Sequence, residues 1–194
     1  GDNSTPEQVF ERLDNLEPNA PATFIYTSGT TGPPKAVMLS HDNLNFTSEM
    51  AIDLVSLANT DSSLSYLPLS HIAEQMFSIH APITAGSSVY FAESIDKLPD
   101  NLKEVQPTLV FGVPRIWEKF HAGISAKLGE ATGIKEQLLK WAREVGAEVS
   151  ALRNQGREPG LALALQYGLA DRLVFSTLKE AIGLGRARIC ISGA

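Results

Sequence analysis

Tyr26–His41 reads YTSGTTGPPKAVMLSH. Within it, Thr27–Lys35 holds three threonines, one serine, two glycines, two prolines and one lysine. The runs on either side, Ala22–Tyr26 and Ala36–Leu39, are apolar and β-forming. They read as short strands that anchor the loop at both ends. Such a loop suits a polyphosphate. Glycine frees backbone N–H groups, short hydroxyls add donors, and Lys35 supplies positive charge. The plain alternative is a surface loop rich in Ser, Thr and Gly.

Spacing excludes two common phosphate loops. A Walker A loop needs a second glycine five residues after the first, then Lys-Ser/Thr. Here Pro34 stands five after Gly29, and Ala36 follows Lys35. A dinucleotide loop needs GxGxxG, and only Gly29 and Gly32 are present. The string Tyr26–His41 closely resembles the signature phosphate loop of the adenylate-forming (AMP-binding) superfamily: acyl-CoA synthetases, luciferases and peptide-synthetase adenylation domains. One departure is Ala36, where that family usually has glycine. Alanine is the smallest alternative, so the loop is expected to survive unless the position needs a positive φ.

Composition is that of an ordinary globular protein: 194 residues, 43% hydrophobic, 20% charged, net charge −6. The length suits one domain, residues 1–194, and is enough to bury a core. Mild acidity argues against broad nucleic-acid binding, which needs a basic face. Cys190 is the only cysteine, so there is no disulfide framework and no cysteine metal site. A cytoplasmic location is the natural expectation. No apolar run approaches the about 18 residues of a membrane span. The first ten residues, GDNSTPEQVF, are polar and lack a signal-peptide core.

Apolar runs alternate with helical patterns along the chain. Ser40 is a good N-cap for a helix running to about Ala58. Leu64–Leu67, Ser88–Phe91, Thr108–Phe111 and Ala187–Ile191 read as strands. His71–Ala85 reads as a helix ended by Gly86, and Ile95–Val105 as a helix capped by Ser94. Pro114 opens a helix whose Ile116, Phe120, Ile124 and Leu128 fall four apart, a single buried stripe. Ile134, Leu138, Trp141, Val145, Val149 and Leu152 repeat the helical period. Arg153–Gly160 is a polar break. Leu161–Ile182 is again helical, with Leu169, Leu173, Leu178 and Ile182 as expected core. This order predicts an α/β protein with a mostly parallel sheet flanked by helices.

The second stretch of interest is YLPLSHIAEQ, Tyr66–Gln75. It lies where a strand ends and a helix begins, the usual ligand position in α/β folds. His71 falls in the expected first helical turn, where the dipole disfavours its protonated form. A neutral imidazole there can donate to a carboxylate or line an acyl pocket. The plain alternative is a helix-start histidine bonded to backbone. Glu74 lies on nearly the same face, either orienting His71 or solvated. The stretch resembles the second core motif of the same superfamily in its long-chain form, where the histidine lies near the carboxylate and the acyl tunnel.

The third is FGVPRIWEKF, Phe111–Phe120, a strand-to-helix corner with Arg115 and Trp117. A proline-started helix with an aromatic stripe is usually core; Trp117 is otherwise a candidate wall for an apolar tunnel. This string, and the helical stretch Gly123–Gly185, resemble long-chain fatty acyl-CoA synthetases of the bubblegum-like branch. The last residues, ICISGA, form a strand running into Ser192, Gly193 and Ala194. A similar string opens the family's adenine-contacting loop.

The resemblance implies an acid–thiol ligase acting in two steps. A fatty carboxylate attacks ATP to give acyl-AMP and pyrophosphate, and coenzyme A then displaces AMP. Thr27, Ser28, Gly29, Thr30, Thr31, Gly32 and Lys35 would cradle the β and γ phosphates, with Lys35 and His71 as catalytic candidates. Ser192, Gly193 and Ala194 would bind the nucleotide. Glycines and prolines in the loop suggest that it opens and closes over ATP. Magnesium is implied for the intact enzyme, but its family glutamate, the ribose aspartate and the C-terminal lysine have no counterpart here. The chain is therefore expected to be an inactive fragment of a large N-terminal domain. The partners implied are ATP, a long-chain fatty acid and coenzyme A, with room for peripheral membrane contact and no nucleic acid. The competing readings are a nucleotide-binding module without catalysis, a structural scaffold, and a ligase for medium-chain or aryl acids or for an acyl-carrier protein.

Overall fold

Helix α1, Pro6–Asp14, starts where Thr5 and Gln8 cap each other: Gln8 N–H donates to Thr5 Oγ1, and Thr5 N–H donates to Gln8 Oε1. This reciprocal box satisfies two N–H groups that have no helical partner. The computed structural model describes residues 5–27 and 32–193.

Strands β1, Pro21–Thr27, and β2, Lys35–Ser40, pair antiparallel, with Thr27 opposite Lys35 and Ile25 opposite Val37. Only Ile25 of this hairpin is buried. Helix α2, His41–Val55, is capped by Ser40 and Asn43 in the same reciprocal way. It ends three residues earlier than its pattern suggests, because Ser56 turns left-handed at φ 49°. β3 is Ser62–Ser65, two residues earlier than expected.

The expected helix from His71 begins one residue later. It runs as α3, Ile72–Gln75, a π-helical turn, Met76–His80, and α4, Ala81–Ala85, closed by Gly86 at φ 72°. Pro82 gives the π turn a cause. It has no N–H, and its ring crowds the carbonyl four residues back. The ladder widens instead, with Ala81 N–H bonding to Met76 O. β4 is Ser88–Phe91, as expected, and lies beside β3.

Ser94 does cap, but it caps a turn: its Oγ accepts from Lys97 N–H. Helix α5 follows at Leu98–Val105, later than expected because Pro99 sets its first turn. β5, Leu109–Gly112, pairs in parallel with β6, Ile189–Ser192. Thr108 joins β3 to β5, donating its N–H to Ser62 O while its Oγ1 accepts from Ser62 N–H. Between β5 and β6 come α6, Pro114–Gly129, α7, Ile134–Asn154, α8, Leu161–Ala170, a second π turn, Asp171–Phe175, and α9, Ser176–Ala181. The α/β class expected from the sequence is the class observed.

The chain divides into two compact units. One contains residues 1–61 and 67–89, the other 62–66 and 90–194. Among the first unit's described residues, Ile25, Leu44, Ala81 and Pro82 are buried, and so is Ser48. The second has two cores. Leu98, Leu102 and Val110 form one, against which Ile116, Trp117 and Phe120 pack. Ala142, Val145, Ala170 and Val174 form the other.

That second core corrects two expectations. Leu169 and Leu173 are about half exposed, and the small neighbours Ala170 and Val174 face α7 instead. α8 is apolar around its circumference, so periodicity could not choose the buried face. Close approach chose it: a Cβ on Gly146 of α7 would sit 2.8 Å from the Phe175 ring. Ile134, expected on the core stripe of α7, is 87% exposed at the helix start.

Candidate functional site

In the first unit the hairpin brings the two ends of the Thr27–Lys35 loop together. Thr27 Oγ1 donates to Lys35 O at 3.4 Å. Both side chains are exposed, so the lysine charge is available at the loop base. Ser28, Gly29, Thr30 and Thr31 lie outside the described residues. Gly32 has φ 110°, a conformation that L side chains rarely adopt, which explains why glycine stands there. Ala36 pairs with Tyr26 in the regular β register, so alanine fits where the resemblance expects glycine.

His71 is the N-cap of α3 and not a first-turn residue: its φ and ψ are −94° and 124°. Its Nδ1 accepts a hydrogen bond from Ala73 N–H at 3.3 Å. The ring therefore takes up a helix-end donor through Nδ1 and has Nε2 left for a ligand. Backbone capping, the plainer of the two sequence readings, is what is seen.

Glu74 departs from the solvated role. It is 2% exposed, not solvated. Its Oε2 accepts from Leu67 N–H at 3.2 Å and its Oε1 from Ser78 Oγ at 2.6 Å. A buried carboxylate bonded in this way ties the LPLSH turn to the helix that follows. Gln75 adds a second tie, donating from Nε2 to Leu69 O at 2.7 Å. The sequence carried a weak signal for both: polar residues repeating at helical spacing just after a Pro-Ser turn.

An open cleft of about 630 Å³ also lies in this unit. Its lining includes Thr23, His41, Asn45, Gln75, His80 and Ile83; His71 is not part of it. Burial pushes the His80 imidazole below its usual range. Sequence reasoning gave no role to His41, Asn45 or His80; His41 and Asn45 fall four apart on α2, and the fold brings His80 to the same cleft.

In the second unit the third motif and the chain's last strand form one edge. Gly112 pairs with Ser192, so the GVPR corner and Gly193 leave the parallel strands side by side. C-terminal ends of parallel strands are where α/β proteins place ligands. Trp117 Nε1 donates to Gly112 O at 2.9 Å and to Ile191 O at 3.2 Å. A Cβ on Gly112 would meet that Nε1 at 2.6 Å, so glycine is what lets the indole in. Tyr66 OH accepts from Val113 N–H at 3.3 Å and fixes the start of the corner. Trp117 is thus a core residue with a bonded indole. Ala194 lies outside the described residues.

Ile116 and Phe120 of the α6 stripe pack on the Leu98–Leu102–Val110 core, and the stripe also borders a cavity. Ile116, Phe120 and Ile124 are half-buried and, with Leu98, Leu178 and Ile182, line a cavity of about 330 Å³. For magnesium, the described residues include no group of three or more His, Cys, Asp or Glu that fits a metal ion. They do not by themselves make a site for that ion.

Helices alternating with an antiparallel hairpin and a parallel strand pair make the class α/β. The family described as AMP-binding enzyme matches residues 2–193. The chain belongs to that family. It is 39% identical to the long-chain-fatty-acid–CoA ligase ACSBG2 of Gallus gallus, over 100% of this chain and 26% of the relative. It is 39% identical to that of Homo sapiens, over 98% of this chain and 29% of the relative. Among solved structures, a malonyl-CoA ligase in a ternary product complex with methylmalonyl-CoA and AMP is similar, at TM-score 0.51 and 28% identity. That match covers 57% of this chain and 24% of the other. The chain thus spans between a quarter and a third of the length of these curated relatives.

Proposed function

We propose that this chain is part of an ATP-dependent long-chain fatty acid–CoA ligase and supplies its phosphate loop. The observation that carries the reading is the β1–β2 hairpin, which sets Thr27 against Lys35 at the base of a loop of hydroxyls and glycines. Family membership and the names of the similar ligases support it.

In the first step a carboxylate oxygen attacks the α-phosphorus of ATP. The bond to the β-phosphate breaks, and pyrophosphate leaves with the negative charge. Thr27, Ser28, Gly29, Thr30, Thr31, Gly32 and Lys35 stabilise that charge as it grows. Nε2 of His71 donates to the fatty carboxylate, while Nδ1 stays on the helix end. Ser192, Gly193 and Ala194 lie against the adenine. In the second step the thiol of coenzyme A attacks the acyl carbonyl and AMP departs. Charge on pyrophosphate is greater in the transition state than in bound ATP, so Lys35 contributes to rate more than to binding.

The 194-residue chain is one partial α/β domain of the intact enzyme and makes no acyl-CoA alone. The test has two arms. Incubated with ATP, magnesium, palmitate and coenzyme A, this chain should form no thioester, whereas a protein of its relatives' length that carries it should. For the longer protein, kcat/KM is compared among acetate, octanoate, palmitate and coumarate. Each methylene buried in an apolar tunnel contributes about 0.8 kcal/mol, so palmitate should lead by orders of magnitude. A flat profile, or a preference for coumarate, overturns the fatty-acid assignment.

A further inference from the structure

His71 stands at the end of a short turn, and backbone bonds hold it on both sides. Its N–H donates to Pro68 O at 2.9 Å, which closes residues 68–71 into the turn. Its carbonyl accepts from Glu74 N–H at 3.0 Å and from Gln75 N–H at 3.3 Å. Such bonds are ordinary where a chain enters a helix.

The side chains of those same two residues do something less ordinary: they reach back past His71. Glu74 Oε2 accepts from Leu67 N–H, one residue before the turn. Gln75 Nε2 donates to Leu69 O, inside it. One tie therefore precedes Pro68 and the other follows it. Glu74 Oε1 also accepts from Ser78 Oγ, which belongs to the π-helical turn Met76–His80. Glu74 is 2% exposed, whereas the His71 ring is open to solvent. Burying a carboxylate is costly, and an apolar side chain would fill the same space without that cost. What the carboxylate adds is a fixed Leu67, which lies beyond the end of β3.

We infer that Glu74 and Gln75 are positioning residues for His71. They hold residues 67–69 against the start of the helix, so the imidazole, anchored through Nδ1, presents Nε2 in one direction. Both act through His71 and not on the substrate. The inference rests on the proposed contact between His71 Nε2 and the fatty carboxylate. Glu74→Gln keeps the arrangement: its oxygen accepts from Leu67 N–H and its amide donates to Ser78 Oγ. Glu74→Leu keeps only the volume.

The experiment is steady-state kinetics of acyl-CoA formation by a protein of its relatives' length that carries this chain, with palmitate and ATP varied in turn. H71A, E74L and Q75L should each lower kcat/KM for palmitate, E74L by about 10-fold or more, because rate falls steeply when a contacting group is misplaced. KM for ATP should hold. E74Q should recover most of what E74L loses. H71A/E74L and H71A/Q75L should be no slower than H71A, since a residue acting only through His71 then has nothing to act on. Melting curves accompany every variant, and if E74L does not fold, Q75L carries the same comparison. An H71A that handles palmitate as the wild type does removes the His71 contact from the proposed function, and this inference falls with it. An impaired H71A whose loss multiplies with that of E74L or Q75L overturns this inference alone. So does an E74Q as slow as E74L, or a Q75L that loses ATP and palmitate in parallel.

Discussion

Trp117 donates its indole N–H to the carbonyl of Ile191, which lies 74 residues further along the chain. The same N–H reaches Gly112 O, so one ring closes the ends of both parallel strands at the edge where Ser192 and Gly193 emerge. Trp117→Phe keeps an aromatic ring and removes the donor. It should cost about 1–2 kcal/mol in denaturant unfolding. On the proposed function, it should also raise KM for ATP in the longer protein more than it lowers kcat, because Ser192 and Gly193 loosen while the Thr27–Lys35 loop is untouched. An unchanged unfolding midpoint would show that the indole bond contributes nothing.

Lys35→Ala should lower ATP–pyrophosphate exchange by about 10²–10³-fold in the intact enzyme. Substrate affinity should change much less. The motivation is the exposed lysine at the hairpin base. If exchange proceeds at the wild-type rate, Lys35 is an ordinary solvated side chain.

Glu74 accepts from Leu67 N–H and Ser78 Oγ inside the protein. Glu74→Leu strips acceptors from both and should destabilise by about 1–3 kcal/mol or more. Glu74→Gln retains one carbonyl oxygen and should cost less than Leu. Thermal or urea unfolding ranks the two; equal losses would mean that the carboxylate matters only for its volume.

Gly183 closes the turn after α9 at φ 84°. A Cβ there would fall on the backbone of Leu102. Gly183→Ala should therefore cost about 3 kcal/mol or more, from left-handed strain plus overlap in a core. Gly168→Ala is the control, since nothing stands within 4 Å of its Cβ position. A helical alanine there should be neutral or stabilising.

The hydrogen bond with Lys179 holds the Asp171 carboxyl below its ordinary value of 3.8. A depressed folded value means that the unfolded chain binds the proton first as pH falls. The pair's contribution is complete well above the unfolded value, fades as pH drops through it, and is gone below the folded one. Both groups are well solvated, so it amounts to about 0.2–1 kcal/mol. The stability gap between wild type and Asp171→Asn should be present at pH 7 and shrink as pH falls through and below the unfolded value. A gap that persists in acid would assign it to packing.

The sequence alone determined whatever local chemistry decides. Ser40 before a helical run makes a cap, because its hydroxyl answers an N–H three residues on. The apolar runs around Thr27–Lys35 make a hairpin, and the ordered string between them carried the family. Tertiary structure decided which face is buried where local pattern is degenerate. α8 is apolar all round, so only contact with Gly146 and Ala142 of α7 could select Ala170 and Val174 over Leu169 and Leu173. Glu74 looked like a surface acid because burial of a charge depends on donors supplied from Leu67 and Ser78, which periodicity does not register. Ile116 and Phe120 of the α6 stripe pack on a core as their spacing suggests, and with Ile124 they also line a cavity, since spacing fixes direction and not what stands opposite. Two strands far apart in sequence became one edge because parallel pairing needs a long crossover. The register that sets Gly112 beside Ser192 is a property of the packed chain.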